Sequence, residues 1–359
     1  MAMMERANTR DYTKWWQKPG TFPANVQQPK PPIEPRPISV RENYIRCVRG
    51  EKPFWMPAYG YESNTVWPDA MEECPVPEVA GFDWWGVEWA PSSKIGGMMV
   101  KPGTRTINDF ANWRDEFEFP DVSKVDFKTD GEKIAASLDP ERPHIYECVK
   151  GIFERLNEVI PFDEALLAFY EEPEALADFF RCMADYKIET CTKIFENYGR
   201  VDGVCYHDDW GTQRAPFFSE DMFREQLLPE TKRFFSFIKG TGRFIELHSC
   251  GRNMDYVPMM LEMGVDMWTP QDGVNDPDFL VPEYGDKMAF AFRVKGINGP
   301  GVTEEQVRRA VRDFVDTYGK CGRVMAQLRV DPEYSERLPW ARDELYNYSL
   351  EYYNKLYDR

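Results

Sequence analysis

The chain has 359 residues, 42% of them hydrophobic, with 24 Phe, 18 Tyr and 11 Trp, enough apolar material for one large buried core or two small ones. A formal charge of −17 argues against a nucleic-acid partner, which needs a basic face, and against attraction to anionic membrane surfaces. No run approaches the roughly 18 apolar residues of a membrane span and no apolar leader opens the chain. Eight cysteines without a CxxC pair suit reduced thiols and a cytoplasmic setting better than a disulfide framework.

Residues 1–38 are polar and proline-rich, notably from Gln28 to Pro37, and read as an extended N-terminal arm rather than a domain. Ser39 then opens a helical pattern that Gly50 closes. Strand-like segments follow near 54–60, 83–89, 144–148, 203–209, 243–250, 266–271, 288–295 and 323–330. The clearest helical stretches between and after them are 172–198, 219–239, 252–263, 303–318 and 340–357. Ser219 precedes Glu220 and Asp221 as a helix start, and Thr303-Glu-Glu-Gln306 has the spacing of a capping box. Eight strands mostly separated by helices predict an α/β fold, a (β/α)8 TIM barrel filling 39–359 as one domain.

In such a barrel the carboxyl ends of the strands carry the chemistry. Polar residues gather there: Tyr59 and Glu62, Glu88 and Trp89, Glu147, His207 to Asp209, His248 and Cys250, Gln271 and Asp272, Lys295, and Arg329. Only three histidines occur in the chain, and two of them close strand-like segments. His248 and Cys250 lie at i and i+2, so they point to one face of a strand and can share a zinc ion. A third ligand has to come from elsewhere in the fold. His207, Asp208 and Asp209 offer acid–base capacity at the neighbouring strand end, although an acidic turn also commonly caps a helix. Trp84, Trp85, Trp89, Phe217 and Phe218 are candidates for the wall of a pocket that takes a flat substrate, with core packing as the plainer reading. No GxGxxG, Walker or GxSxG sequence is present, so nucleotide cofactors and a serine elbow lack local support.

Four stretches resemble the uroporphyrinogen decarboxylase superfamily, in its order. They are Ser39 to Pro57, Val201 to Gln213, Leu247 to Gly251 with Leu261 to Asp266, and Thr303 to Val330. The resemblance implies the same barrel. True decarboxylases of that superfamily grip substrate carboxylates with an arginine-rich segment after the first strand. Here that place reads Met56-Pro-Ala-Tyr-Gly-Tyr-Glu-Ser63, without arginine. The chain is more similar to the cobamide-dependent methyltransferase branch, in which a His-x-Cys pair and a distant Cys bind zinc. His248 and Cys250 match the pair. The distant Cys follows the last strand in that branch, where this chain has Ala326-Gln-Leu-Arg-Val330. Cys321 precedes the strand and is expected at the opposite end of the barrel.

The resemblance therefore implies a methyltransferase acting between a small methylated substrate and a corrinoid carried by a partner protein. With the thiolate missing, an O-demethylase type taking methoxylated aromatics is favoured over a methylcobamide:thiol methyltransferase. His207, Asp208 and Asp209 are expected as catalytic groups, and His248 and Cys250 as zinc ligands completed by a carboxylate such as Glu88, Glu147 or Asp208. Tyr59, Glu62, Trp89, Phe217, Gln271, Lys295 and Arg329 are expected around the substrate. A decarboxylase of a small acid, held by Lys295 and Arg329, and a non-catalytic ligand-binding barrel are the alternatives. A homodimer is expected as an assembly option.

Overall fold

The computed structural model describes residues 35–71, 73, 80–92 and 97–359. Among the described residues ten strands run in chain order: β1 (Asn64–Val66), β2 (Gly81–Phe82), β3 (Glu88–Ser92), β4 (Gly97–Val100), β5 (His144–Cys148), β6 (Gly203–His207), β7 (Phe244–Ser249), β8 (Met267–Pro270), β9 (Ala289–Arg293) and β10 (Val324–Gln327). β1 and β5 to β10 form one parallel sheet in that order. The sheet closes on itself through residues 57–66. The Tyr59 N–H donates to Ala326 O at 3.0 Å, and the Asn64 N–H donates to Pro143 O at 2.8 Å. Ala58, bridged to Ala326, is the eighth stave, and the whole is a TIM barrel with helices outside.

Two inner layers follow from strand alternation. Ile145, Cys205, Phe244, Met267, Ala289, Ala291 and Met325 point inward, and the helix Val40–Arg49 plugs the amino-terminal end with Tyr44, Cys47 and Val48. The intervening residues, among them Tyr146, Val204, Tyr206, Ile245, Leu247, Trp268 and Phe290, face the surrounding helices in a second, larger cluster. Each such side chain removed from water stabilises the barrel by about 1.5–3 kcal/mol. The parity of β7 is therefore fixed from both sides. Ile245 and Leu247 outside put Glu246 and His248 inside.

The segment expected as the second barrel strand, 83–89, lies elsewhere. Asp83 is a turn residue whose carboxylate accepts the Trp85 and Val87 N–H groups, both at 2.9 Å. The chain then joins the small antiparallel sheet β2–β3–β4 outside the barrel. Trp84 and Trp85 are 1% exposed and pack as core, Trp85 against Phe117, Phe119 and Tyr186. The true stave is β1, three residues between Ser63 and Trp67 and too short to show a period.

The helix starts fall where the caps predict. Thr303 and Gln306 form the reciprocal capping box of the helix Glu304–Tyr318, and the Ser219 hydroxyl accepts the Met222 N–H at 3.2 Å. The helix from Glu220 is interrupted by a π turn, Phe223–Leu227, before continuing as Leu228–Gly240. Pro229 lacks the N–H that an unbroken ladder needs there. The expected stretch 252–263 is a 3-10 turn, Met254–Tyr256, followed by the helix Val257–Met263. The first 34 residues of the expected arm lie outside the described residues. Among 35–38, Arg36 sits between the Trp55 and Tyr346 rings and donates to Glu62 at 2.6 Å. No helix among the described residues is long and apolar enough to cross a membrane.

Candidate active site

The β6–β7 ladder sets His207 directly beside His248. Their rings stack with centroids 4.5 Å apart and planes 25° off parallel. Two positive rings at that separation would repel strongly, so the pair divides its protonation. Burial works against charge on His207. The Glu154 carboxylate, 2.8 Å from its Nδ1, overrides that and holds the ring up to about 9. Burial, followed by the charge of His207, pushes His248 down to about 3. Glu154 is itself held down to about 2: burial raises it, but the His207 charge, the hydrogen bond to His207 and nearby Lys150 prevail. The site thus carries one imidazolium, one neutral imidazole and a carboxylate bound to the first.

Asp209 and Cys250 complete the group. The Cys250 N–H donates to Asp209 Oδ1 at 2.6 Å, and the Cys250 Sγ lies 3.4 Å from His248 Nε2. Burial and the Asp209 carboxylate push the Cys250 thiol up to about 12. Gly251 makes the close approach of the two strand ends feasible. It has φ +96°, and a Cβ there would lie 2.3 Å from Gly211 O. Gln271 Oε1 accepts the Gly251 N–H at 2.7 Å and so braces the same turn.

Asp208 turns the other way, as strand parity requires. It is 0% exposed and accepts the Glu154 N–H at 2.8 Å, the Phe153 N–H at 3.3 Å and the Tyr206 hydroxyl at 3.1 Å. It caps the helix Ile152–Val159, and a Cβ on Gly151 would collide with it at 2.1–2.2 Å. The expectation that Asp208 works beside His207 is therefore corrected: it places Glu154 by holding that helix end.

One register step below the histidines, Glu147, Cys205 and Glu246 lie side by side across β5, β6 and β7. The Cys205 thiol contacts both carboxyls, and the Tyr59 hydroxyl donates to Glu246. Burial, opposed by the Tyr59 hydrogen bond, leaves Glu246 at about 7; burial also raises Glu147. Glu147 is thus engaged below the histidine pair rather than beside Cys250, and Glu88 is paired with Lys101 at 2.7 Å on the outer sheet. Neither supplies the expected third metal ligand. The donors that do converge, within 4.8 Å of one another, are single atoms of His207, Asp209 and His248.

The remaining expected residues are spread around this group. Glu62 is committed to Arg36 and the Trp55 indole. Trp89 is 3% exposed, donates to Asp83 and lies under the Lys150 ammonium. Phe217 belongs to an aromatic cluster with Phe153, Phe162 and Phe218. The aromatic set therefore forms core and outer packing instead of a ring-shaped pocket wall. Arg329 is exposed and its charge bears on both His248 and Cys250. Lys295 lines a cavity of about 310 Å³ with Asp272, Arg293 and Asn298 at the ends of β8 and β9. Cys321 donates to Gly285 O, before β9 and β10 begin, which places it at the end remote from the histidines.

Sequence reasoning missed Glu154, Lys150 and Glu246. Glu246 had a signal, since it stands two residues before His248 and shares its face. Glu154 had none, being 53 residues from His207. Lys150 is marked only by its backbone, at φ 58°, a conformation uncommon for a non-glycine residue. Its ammonium meets Glu158 at 2.7 Å. Glu158 joins the fully buried Arg155, which also binds Asp83 and Glu73.

Residues 99–320, more than half of the chain, match the family profile of Uroporphyrinogen decarboxylase (URO-D). No curated protein matches in sequence. Among solved structures the chain is similar to a methyltransferase from Methanosarcina mazei at 13% identity, with a TM-score of 0.62 over 86% of this chain and 99% of that one. A xylanase from Gloeophyllum trabeum is similar at 12% identity and a TM-score of 0.40, over 62% and 82%. The first likeness supports the barrel, and the second is too distant to bear on it. Profile, barrel and paired strand-end histidines agree that this chain belongs to the uroporphyrinogen decarboxylase family.

Proposed function

We propose that this barrel transfers a methyl group between a small methylated molecule and a corrinoid presented by a partner protein, in the manner of an O-demethylase. The observation that carries the reading is the His207–His248 pair with Asp209 and Cys250 at the open end of the barrel. It sets one imidazolium, held by Glu154, at that point, while the arginine-free segment 56–63 lacks the grip that a polycarboxylate porphyrinogen needs. Breaking a methyl–oxygen bond leaves the electron pair on oxygen, and that developing anion has to be met by a proton or a positive charge.

His207 is placed to meet it. Glu154 holds the ring through Nδ1, so Nε2 is the nitrogen left to face the substrate, and the charge on the ring persists at neutral pH. The neutral His248 beside it accepts rather than repels. A divalent cation at the same point would supply Lewis-acid stabilisation of the same charge. Bound there, it would displace the His207 proton and raise the local charge by one, offset by the Asp209 and Glu154 carboxylates. Asp208, Gln271 and Gly251 keep the two strand ends in register. The low exposure of the His207 and Glu154 side chains, 28% and 12%, keeps water from weakening these interactions.

Mixing the protein with reduced cobalamin and a panel of small methyl ethers, with methyl–cobalt absorbance as readout, tests the reading. Methyl–cobalt formation that is lost in His207→Gln supports it. Carbon dioxide release from a small acid, without methyl–cobalt, would instead favour decarboxylation. Arg293, Lys295 and Arg329 near the mouth are the observation that keeps this second reading.

A further inference from the structure

We propose that the mouth of the barrel is a divalent-cation site whose ligands are His207, Asp209 and His248, with Cys250 beside it and outside the ligand set. The proposal goes beyond methyl transfer and holds whichever reaction the barrel performs. It replaces the His-x-Cys ligand pair that the sequence spacing suggested.

Several atoms of the group are already committed. His207 Nδ1 is 2.8 Å from Glu154 Oε2, and His248 Nδ1 is 3.4 Å from the Thr269 hydroxyl. Each ring therefore has its Nδ1 facing an oxygen; His207 keeps Nε2 for the shared space, and His248 Nε2, 3.4 Å from the Cys250 Sγ, would exchange that contact for the cation. This is the arrangement in which an outer carboxylate or hydroxyl orients a metal-binding imidazole. Asp209 is held by the Cys250 N–H at Oδ1, and its carboxylate also meets the Cys250 thiol, a contact that a bound cation would displace. The two strand ends are locked together by the β6–β7 ladder and by the Asp208 N–H, which donates to His248 O at 3.1 Å.

The competing donors are accounted for. Among the described residues, the one group of three or more His, Cys, Asp or Glu donors within 4.8 Å is His207, Asp209 and His248, and Cys250 falls outside it. The Cys250 thiol is engaged by the Asp209 carboxylate. Glu88 is paired with Lys101, Glu147 is engaged with Cys205 one layer down, and Cys321 is bound to Gly285 O at the far end. Two imidazoles and a carboxylate make a harder donor set than a thiolate site, suited to Zn2+, Fe2+, Co2+ or Mn2+. Three protein ligands also leave a coordination position free for another group, as catalytic centres need.

Cobalt(II) as a spectroscopic probe tests the assignment without any turnover. Chelator-treated protein is titrated with Co2+, and circular dichroism confirms that each variant is folded. One Co2+ per chain is expected, with visible ligand-field bands but without the near-ultraviolet thiolate charge-transfer band. Asp209→Asn and His248→Gln should weaken binding by about a hundredfold or more, and Glu154→Gln by about ten- to a hundredfold. Cys250→Ser should bind Co2+ within about threefold of the unsubstituted chain. A strong thiolate band that disappears in Cys250→Ser while Asp209→Asn binds normally would overturn the proposal. So would the absence of Co2+ binding by the folded protein.

Discussion

Glu154→Gln keeps the shape of the side chain and removes the charge that holds His207 protonated. In cation-free protein His207 sits at about 9, against an ordinary histidine value near 6.5. At about 1.4 kcal/mol per pH unit, the difference corresponds to a preference of about 3 kcal/mol for the imidazolium. Little of it is lost to screening, because the His207 and Glu154 side chains are only 28% and 12% exposed. In the variant, burial is unopposed by the Glu154 charge and His207 should titrate at or below about 6.5. With three histidines in the chain, proton–nitrogen NMR can follow each ring separately. Stability gives the second readout. A raised histidine stabilises fully below its unfolded value near 6.5 and loses that contribution as pH climbs through about 9. Glu154, held down at about 2, contributes above about 4.3 and loses it as pH falls through 2. The variant should therefore be weaker by up to about 3 kcal/mol in urea unfolding near pH 6, with the difference shrinking above pH 9. A His207 that still titrates near 9 in the variant, or a loss equal at both pH values, would refute the reasoning.

Asp208→Ala should cost about 1–2 kcal/mol in chemical denaturation, because it uncaps the helix Ile152–Val159; an unchanged midpoint would show that the cap is dispensable. Tyr59→Phe removes the hydroxyl that bonds Glu246 and should cost about 1–3 kcal/mol. Because Glu246 lies at about 7, above its unfolded value, that carboxyl favours the folded state at low pH and loses the benefit as pH rises through 7. The Tyr59→Phe penalty should accordingly be larger at pH 8 than at pH 5, which thermal melts at the two values would check.

The legible parts of the fold were those with a local period. Six staves, β5 to β10, read directly as short apolar runs, because alternation buries both of their faces. The capping box at Thr303 is equally local. β1 was hidden because three residues carry no period, and 83–89 was misplaced because two tryptophans in a turn look like strand. In the site, His248 and Cys250 are legible as a pair at i and i+2, strand parity already turns Asp208 away from His207 and Asp209, and the same rule could have found Glu246. What spacing cannot express is register between strands. His207 and Asp209 meet His248 only through the β6–β7 ladder, and Glu154 reaches His207 through a helix start that Asp208 fixes. Glu88 and Glu147, expected as ligands from their strand ends, were already engaged by Lys101 and Cys205, which no linear pattern reveals.

The fate of a labelled carbon tests the account most directly. Small acids and ethers carrying carbon-13 in the methyl group, and separately in the carboxyl group, are incubated anaerobically with the protein and reduced cobalamin and followed by NMR. Label should move from the methyl position onto cobalt, dependent on His207 and His248, with the carboxyl label unchanged. Labelled carbon dioxide with no methyl–cobalt signal would contradict it.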